Sequence, residues 1–255
     1  IFELLLCLSV VSLPFSLRMN SLSVFALAIA WIFQEPFANR IKRLSNPLLL
    51  LFISFYLCYL VGMLWTVNIK YGFWELEKKM GLLVFPIIIG TTKPLTNKAF
   101  MRILQCFVIA ILLASLTCLA HATYRAIALN ALSVVDPQTQ QTIYFYFYDG
   151  LSGFMIQPVY LSAYVVTSVF ILLFLYAKRG LLSDELFKVF RNRAFIWIGI
   201  ILLIAVLLML SARIMILALV MLSFFLIVFF LRQKGRFVLG ISTGVLSIVI
   251  LGVSI

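Results

Sequence analysis

Acidic residues are scarce in this chain. Its 255 residues hold 8 Asp and Glu against 20 Lys and Arg, with one histidine and 4 cysteines, and only 11% are charged. A soluble domain is roughly a quarter charged, so there is too little charge to coat a water-soluble globule. The lone histidine and thinly spread acids leave no metal-ligand spacing. Cys7, Cys58, Cys106 and Cys118 all lie in apolar segments, where they read as small hydrophobes. A basic n-region is missing as well: Glu3 stands where a secretory signal peptide carries positive charge. No internal repeat or low-complexity linker divides the chain. It begins at Ile1 and ends at Ile255 inside an apolar run, so it is expected to be a fragment lacking a C-terminal part.

What is abundant is apolar sequence. Hydrophobic residues make up 65% of the chain, and its mean hydropathy is +1.19. Long apolar runs recur along the whole length, which predicts a polytopic membrane protein. Lipid requires internally satisfied backbone, so spans are helices or closed barrels. These runs are continuous and rich in Leu and Ile, which excludes alternating barrel strands. The expected fold is therefore all-α, a single transmembrane domain over residues 1–255. Nine spans are expected, at 2–17, 21–38, 47–66, 80–91, 103–123, 159–177, 194–210, 213–231 and 237–255. The fourth is short and contains Pro86, which predicts a tilted, kinked or re-entrant segment.

Charge orients these spans. Arg40, Lys42, Arg43, Lys93, Lys98, Arg102, Lys178, Arg179, Lys188, Arg191, Arg193, Arg232, Lys234 and Arg236 all follow even-numbered spans, and so fall on one side. Arg18, Lys70, Lys78, Lys79, Arg125 and Arg213 fall on the other. The positive-inside rule makes the richer side cytoplasmic and places the N-terminus inside. The basic excess of +12 thus reads as a topology signal in short loops and not as a nucleic-acid surface. Segments 67–79 and 124–158 become the main outer pieces, the first amphipathic or interfacial.

Arg213 is the only charge between Arg193 and Arg232. Topology does not explain it, because it falls on the outer side. The turn between spans seven and eight is expected at Ser211-Ala212-Arg213, with Ser211 as N-cap and Arg213 in the first helical turn. A guanidinium opposes the helix dipole there unless an anion is also present, and phosphate is the usual guest of such a site. The competing reading is snorkelling to outer headgroups.

Three stretches carry a resemblance. They are "VGMLWTVNIKYGFWELEKKMGLLVFPIII" (61–89), "GFMIQPVYLSAY" (153–164) and "LSARIMILAL" (210–219). Their order and spacing resemble the O-antigen ligase and polymerase superfamily. The resemblance implies transfer of a glycan from an undecaprenyl pyrophosphate carrier to an acceptor on the periplasmic face of the bacterial inner membrane. Ligases use lipid A-core as acceptor; polymerases use a second carrier-linked repeat. It also implies that Arg213, in the Ser211-x-Arg turn, holds the pyrophosphate, and that Gln157 and Tyr160, in the Pro-x-Tyr stretch, contact the substrate. Independently of the resemblance, Arg125 reads as a second phosphate ligand because it is another outer-side arginine near the membrane surface, and Lys78 and Lys79 as cations that could neutralise carrier phosphate. No cofactor or metal is implied. The family often has His where this chain has Gln157, which hydrogen-bonds but cannot act as a base. The family's catalytic histidine lies in a large periplasmic loop, expected here beyond Ile255.

The remaining candidates have bland alternatives. His121 reads first as an interfacial polar residue at a helix end. Lys78 and Lys79 stand near Glu75 and Glu77, and ion pairing competes with phosphate binding. The run Tyr144–Tyr148 reads as an aromatic belt before a sugar-stacking surface, and Asp149 as a turn residue before a base. A transporter or flippase is the alternative from another class. It calls for ionisable residues at mid-membrane and paired broken helices. Six of the nine spans carry no such charge.

Overall fold

The computed structural model describes residues 2–135, 142–178 and 185–233. Helix dominates it, as the apolar runs require. The chain forms two compact units. The first comprises the residues up to Ser9 together with Arg18–Ile103, and the second Val10–Leu17 with the described residues from Leu104 onward.

The first unit holds α1 (Phe2–Ser12) up to Ser9, α2 (Leu17–Gln34) from Arg18, then α3 (Phe37–Arg43), α4 (Pro47–Gly62), α5 (Ile69–Lys79) and α6 (Gly81–Thr91). Their starts are written in local chemistry. Asn46 caps α4 by accepting the Leu48 N–H at 3.1 Å, with Pro47 at the first helical position. Asn68 caps α5 in the same way, accepting the Tyr71 N–H at 3.1 Å. Helix α4 packs on α6, where the Leu49 side chain lies 3.4 Å from the position a Cβ on Gly90 would occupy.

A polar clamp ties the end of α2 to α3 and α6. Arg40 is 3% exposed, and its guanidinium donates to the carbonyls of Trp31, Ile32 (3.0 Å) and Glu35 (2.6 Å). These are last-turn carbonyls of α2 and its exit, groups that an ending helix leaves without partners. The same guanidinium stacks on the Trp31 ring at 4.3 Å. Arg43 donates through one nitrogen to Glu35 Oε2 at 3.0 Å and to the Thr91 carbonyl at 2.8 Å. Lys93 approaches Glu35 Oε1 at 3.4 Å, and the Trp31 indole N–H donates to Thr91 Oγ1 at 3.0 Å.

The second unit is built from α7 (Asn97–Ala128), which starts in the first unit, then α8 (Asp149–Ser152), α9 (Pro158–Lys178), α10 (Arg193–Met209) and α11 (Arg213–Gln233). Its core interdigitates Leu172 and Leu175 of α9 with Ile196 and Leu203 of α10, all fully buried. Gly199 opens the contact: a Cβ there would sit 3.4 Å from Leu172 and 3.7 Å from Leu112. Between α7 and α8 lies a short antiparallel pair, β1 (Ser133–Val135) and β2 (Thr142–Tyr144), with Val134 opposite Ile143.

One expectation changes. Among the described residues, three helices, not nine, are long and apolar enough to cross a membrane: Pro47–Trp65, Asn97–Ala128 and Pro158–Lys178. Phe2–Ser12, Arg193–Met209 and Arg213–Leu226 are apolar but shorter. Helix ends account for much of the difference. Helix α1 stops at Ser12, two residues before Pro14, and Pro36 cuts the second run at Gln34. Helix α2 also opens on Arg18 and Asn20, so its apolar stretch starts late. The Pro86 segment is an 11-residue helix with the proline inside it. The ninth expected span, 237–255, lies outside the described residues. The expected outer piece 124–158 carries secondary structure among the described residues. Helix α7 continues to Ala128, and the β-pair and α8 follow.

Candidate functional site

The connecting segment after α7 brings most of the sequence-predicted residues to one end of the second unit. Phe145 follows β2 and is fully buried; its N–H donates to the Leu132 carbonyl at 3.1 Å. Arg125, in the last turn of α7, lays its guanidinium over the Phe145 ring at 4.3 Å. Tyr146 donates its hydroxyl to Thr123 Oγ1 at 3.2 Å. Tyr148 then reaches across the unit: its N–H donates to the carbonyl of Met209, the last residue of α10, at 3.2 Å. The segment 144–148 is therefore a strap between the end of α7, which carries Arg125, and the α10–α11 turn, which carries Arg213.

Backbone chemistry holds the strap in place. Tyr148 has φ 46°, a left-handed conformation rare for a bulky residue. Two residues on, Gly150 leaves no room for a side chain: a Cβ there would lie 1.9 Å from the Tyr144 carbonyl oxygen. The return into α9 is fixed by Met155, whose sulfur accepts from Thr117 Oγ1 at 3.4 Å and lies 3.8 Å from Cys118 Sγ. Phe154 stacks on His121 with ring centroids 4.0 Å apart.

The α10–α11 turn falls where the sequence places it, but Ser211 has another role. It has φ 48° and closes α10 in the left-handed conformation after Leu210, donating its N–H to the Leu208 carbonyl at 3.1 Å. Ala212, not Ser211, immediately precedes α11, and its carbonyl accepts the N–H groups of Met215 (2.8 Å) and Ile216 (3.0 Å). No N-cap hydrogen bond from the Ser211 hydroxyl exists among the described residues. Arg213 is the first residue of α11 and is exposed.

Gln157 precedes α9, and its carbonyl accepts from the N–H groups of Tyr160 (3.1 Å) and Leu161 (3.2 Å). Its side chain and the Tyr160 ring are exposed. Arg213, Arg125, Ser211, Gln157 and Tyr160 therefore belong to the same end of one unit. Among the described residues, no ion pair or side-chain hydrogen bond joins them to one another, and neither Arg125 nor Arg213 pairs with a carboxylate. Two arginines with no carboxylate partner among the described residues, one lying over an aromatic ring, leave guanidinium donors for an anion. No group of three metal-ligating side chains occurs among the described residues.

Lys78 and Lys79 lie in the first unit and follow the competing reading. Both bind Glu75: Lys78 Nζ at 3.0 Å from Oε1 and Lys79 Nζ at 2.6 Å from Oε2. Lys78 also lies over the Trp74 ring at 3.1 Å, and Lys79 near the Tyr59 ring at 4.9 Å. The hydrogen bonds from Lys79 and then Lys78 hold the Glu75 carboxyl down at about 2. The same bond to Glu75 raises Lys79 above its ordinary value.

The strap was not visible in the sequence. The pairing of Tyr148 with Met209 spans 61 positions and uses backbone atoms, which no side-chain motif encodes. Its one local signal is Gly150 after a run of aromatics. Burial splits the Tyr144–Tyr148 run without alternating: Phe145 is core, while Tyr144, Phe147 and Tyr148 stay exposed. Compared with protein-family models, with curated proteins and with solved structures, the chain shows no match to any of them.

Proposed function

We propose that this chain transfers a glycan from a polyprenyl pyrophosphate carrier to an acceptor hydroxyl at the outer face of the bacterial inner membrane, with lipid A-core as the acceptor class. The observation that carries the reading is that Arg125 and Arg213 stand at the two ends of the 144–148 strap in the second unit, neither in an ion pair with a carboxylate among the described residues. An outward-facing end is supported by the basic residues at the opposite ends of α7, α9 and α10, namely Lys98, Arg102, Lys178 and Arg193, and the resemblance of the "LSARIMILAL" stretch supplies the anion.

In this reading the two guanidiniums hold the pyrophosphate of the donor. The acceptor oxygen attacks the anomeric carbon, the bond from that carbon to the pyrophosphate oxygen breaks, and the hydroxyl proton passes to a base. Charge grows on the leaving pyrophosphate, and fixed cations stabilise it. Gln157 and Tyr160, exposed beside the start of α9, are positioned to meet the glycan. A polymerase of the same superfamily would differ only in taking a second carrier-linked glycan as acceptor.

The test is transfer by the complete protein in membranes supplied with carrier-linked glycan. Arg213→Ala should reduce transfer about 100-fold or more while membrane insertion is unchanged. Arg213→Lys should recover little, because it keeps the charge but loses the bidentate fork. Normal transfer by the Ala variant would remove Arg213 from the site.

A further inference from the structure

Among the described helices of eleven residues or more, α5 is the strongly amphipathic one. Its sides do different things. Gly72, Glu75 and Lys79 stand on the side that meets the end of α4. Gly72 is buried, and a Cβ there would lie 2.5 Å from Met63 Sδ and 3.3 Å from Thr66 Cγ2. Lys79 reaches the Tyr59 ring, and Glu75 lines a small cavity with Tyr59 and Gly62. Ile69, Phe73, Leu76 and Met80 follow one another at helical spacing and form a single apolar row, about a quarter turn from the packed side. The row is left uncovered: Ile69 is 59% exposed, Phe73 63% and Met80 46%.

The row has a fixed place beside α4. The apolar run Pro47–Trp65 is long enough to cross a membrane. Only Thr66, Val67 and Asn68 separate it from α5, a reach of about 14 Å at full extension. A groove of about 810 Å³ is lined by Phe73 and Met80 of the row and by Tyr56 and Leu60 of α4, together with Lys70 and Glu77. Tyr56 lies well inside the apolar run, about 14 Å before Trp65 along the helix. The row therefore overhangs the flank of the span and does not lie beyond its end. The medium that surrounds a span's flank is lipid. Charge adds little: α5 carries three lysines and two glutamates, and Lys78 and Lys79 are both bound to Glu75. Attraction to anionic headgroups is correspondingly weak, and apolar contact has to hold the helix.

We propose that α5 lies in the headgroup layer of the bilayer that α4 crosses, with Ile69, Phe73, Leu76 and Met80 seated on phospholipid acyl chains that fill the groove beside Tyr56 and Leu60. The occupant is the bilayer surface, and the seating does not require anionic lipid. The proposal rests on α4 as a membrane span and not on the glycosyl-transfer reading.

The experiment uses the whole chain in phosphatidylcholine liposomes, with the photocrosslinking residue benzoylphenylalanine at one position at a time. Adducts formed on illumination are identified by mass spectrometry. Phe73→benzoylphenylalanine should become joined to phosphatidylcholine, and so should Ile69→benzoylphenylalanine, a second variant in the same row. Lys78, two residues beyond Leu76, points to the opposite side of the helix, and the same probe there should give a several-fold lower lipid yield. Making the liposomes equimolar in phosphatidylglycerol should leave the total lipid yield at Phe73 unchanged. Three results would overturn the proposal: a second copy of the chain captured at Phe73 and Ile69 in place of lipid, a lipid yield at both positions no higher than at Lys78, or lipid capture that appears only when phosphatidylglycerol is present.

Discussion

Removing Arg43 should loosen the first unit by an amount that its surroundings set. Its guanidinium bridges Glu35 and the Thr91 carbonyl at 3.0 and 2.8 Å. The Glu35 side chain is 6% exposed, that of Arg43 31% and that of Lys93 70%. In Arg43→Met the apolar stem stays and both hydrogen bonds go. Breaking a fully buried pair costs about 3–5 kcal/mol. Here Arg43 is partly solvated and Lys93 remains beside the orphaned carboxylate, so the loss of the two charge-assisted bonds costs about 2–4 kcal/mol. Adding Glu35→Gln removes the buried charge, so the double variant should recover roughly 1–2 kcal/mol of that loss. The assay is equilibrium unfolding in detergent, read from the fluorescence of Trp31, whose indole bonds Thr91. If Arg43→Met unfolds within about 0.5 kcal/mol of the parent, or the two substitutions simply add, the clamp contributes nothing and the reasoning fails.

Three further outcomes follow from the geometry. Gly150→Ala drives a Cβ into the Tyr144 carbonyl, 1.9 Å away; it should displace the strap, expose Phe145 to proteolysis, and reduce glycan transfer with Arg213 intact. At Gly199, alanine meets Leu172 at an ordinary contact distance of 3.4 Å and should be neutral or stabilising, whereas leucine overpacks the core and should cost about 1–3 kcal/mol in thermal unfolding. Glu75 is held at about 2, below its ordinary 4.5, so its support of α5 is complete above 4.5 and is lost as pH falls from there through about 2. Trp74 emission, with the other tryptophans replaced by phenylalanine, should titrate in that window in the parent and stay flat in Glu75→Gln.

The sequence shows where helices start better than it shows how many cross a membrane. Asn46, Asn68 and Asn192 each cap the helix they precede, because a side-chain acceptor next to a free N–H is a local matter. Hydropathy counts apolar residues but not where the backbone stops, so runs broken at Pro14 and Pro36 looked longer than the helices they form. At the candidate site, the α10–α11 turn was legible because only one polar point interrupts that run. The left-handed Ser211 was not, since the same serine chemistry suits a cap. The stacking of Arg125 on Phe145 depends on a hairpin that polar and aromatic composition alone does not announce.

The clamp at Arg40 has a consequence in time. On the proposed topology, with the loop after α2 cytoplasmic, any positive charge at position 40 holds that loop back while the chain enters a membrane, and lysine would serve as well as arginine. Once α2 has formed, the same residue must cover three carbonyls at once while stacked on Trp31, which a single ammonium does poorly. Arg40→Lys should therefore insert with the correct orientation yet reach a less stable fold. Cysteine accessibility would report the first and unfolding the second, so one position separates the code for insertion from the code for folding.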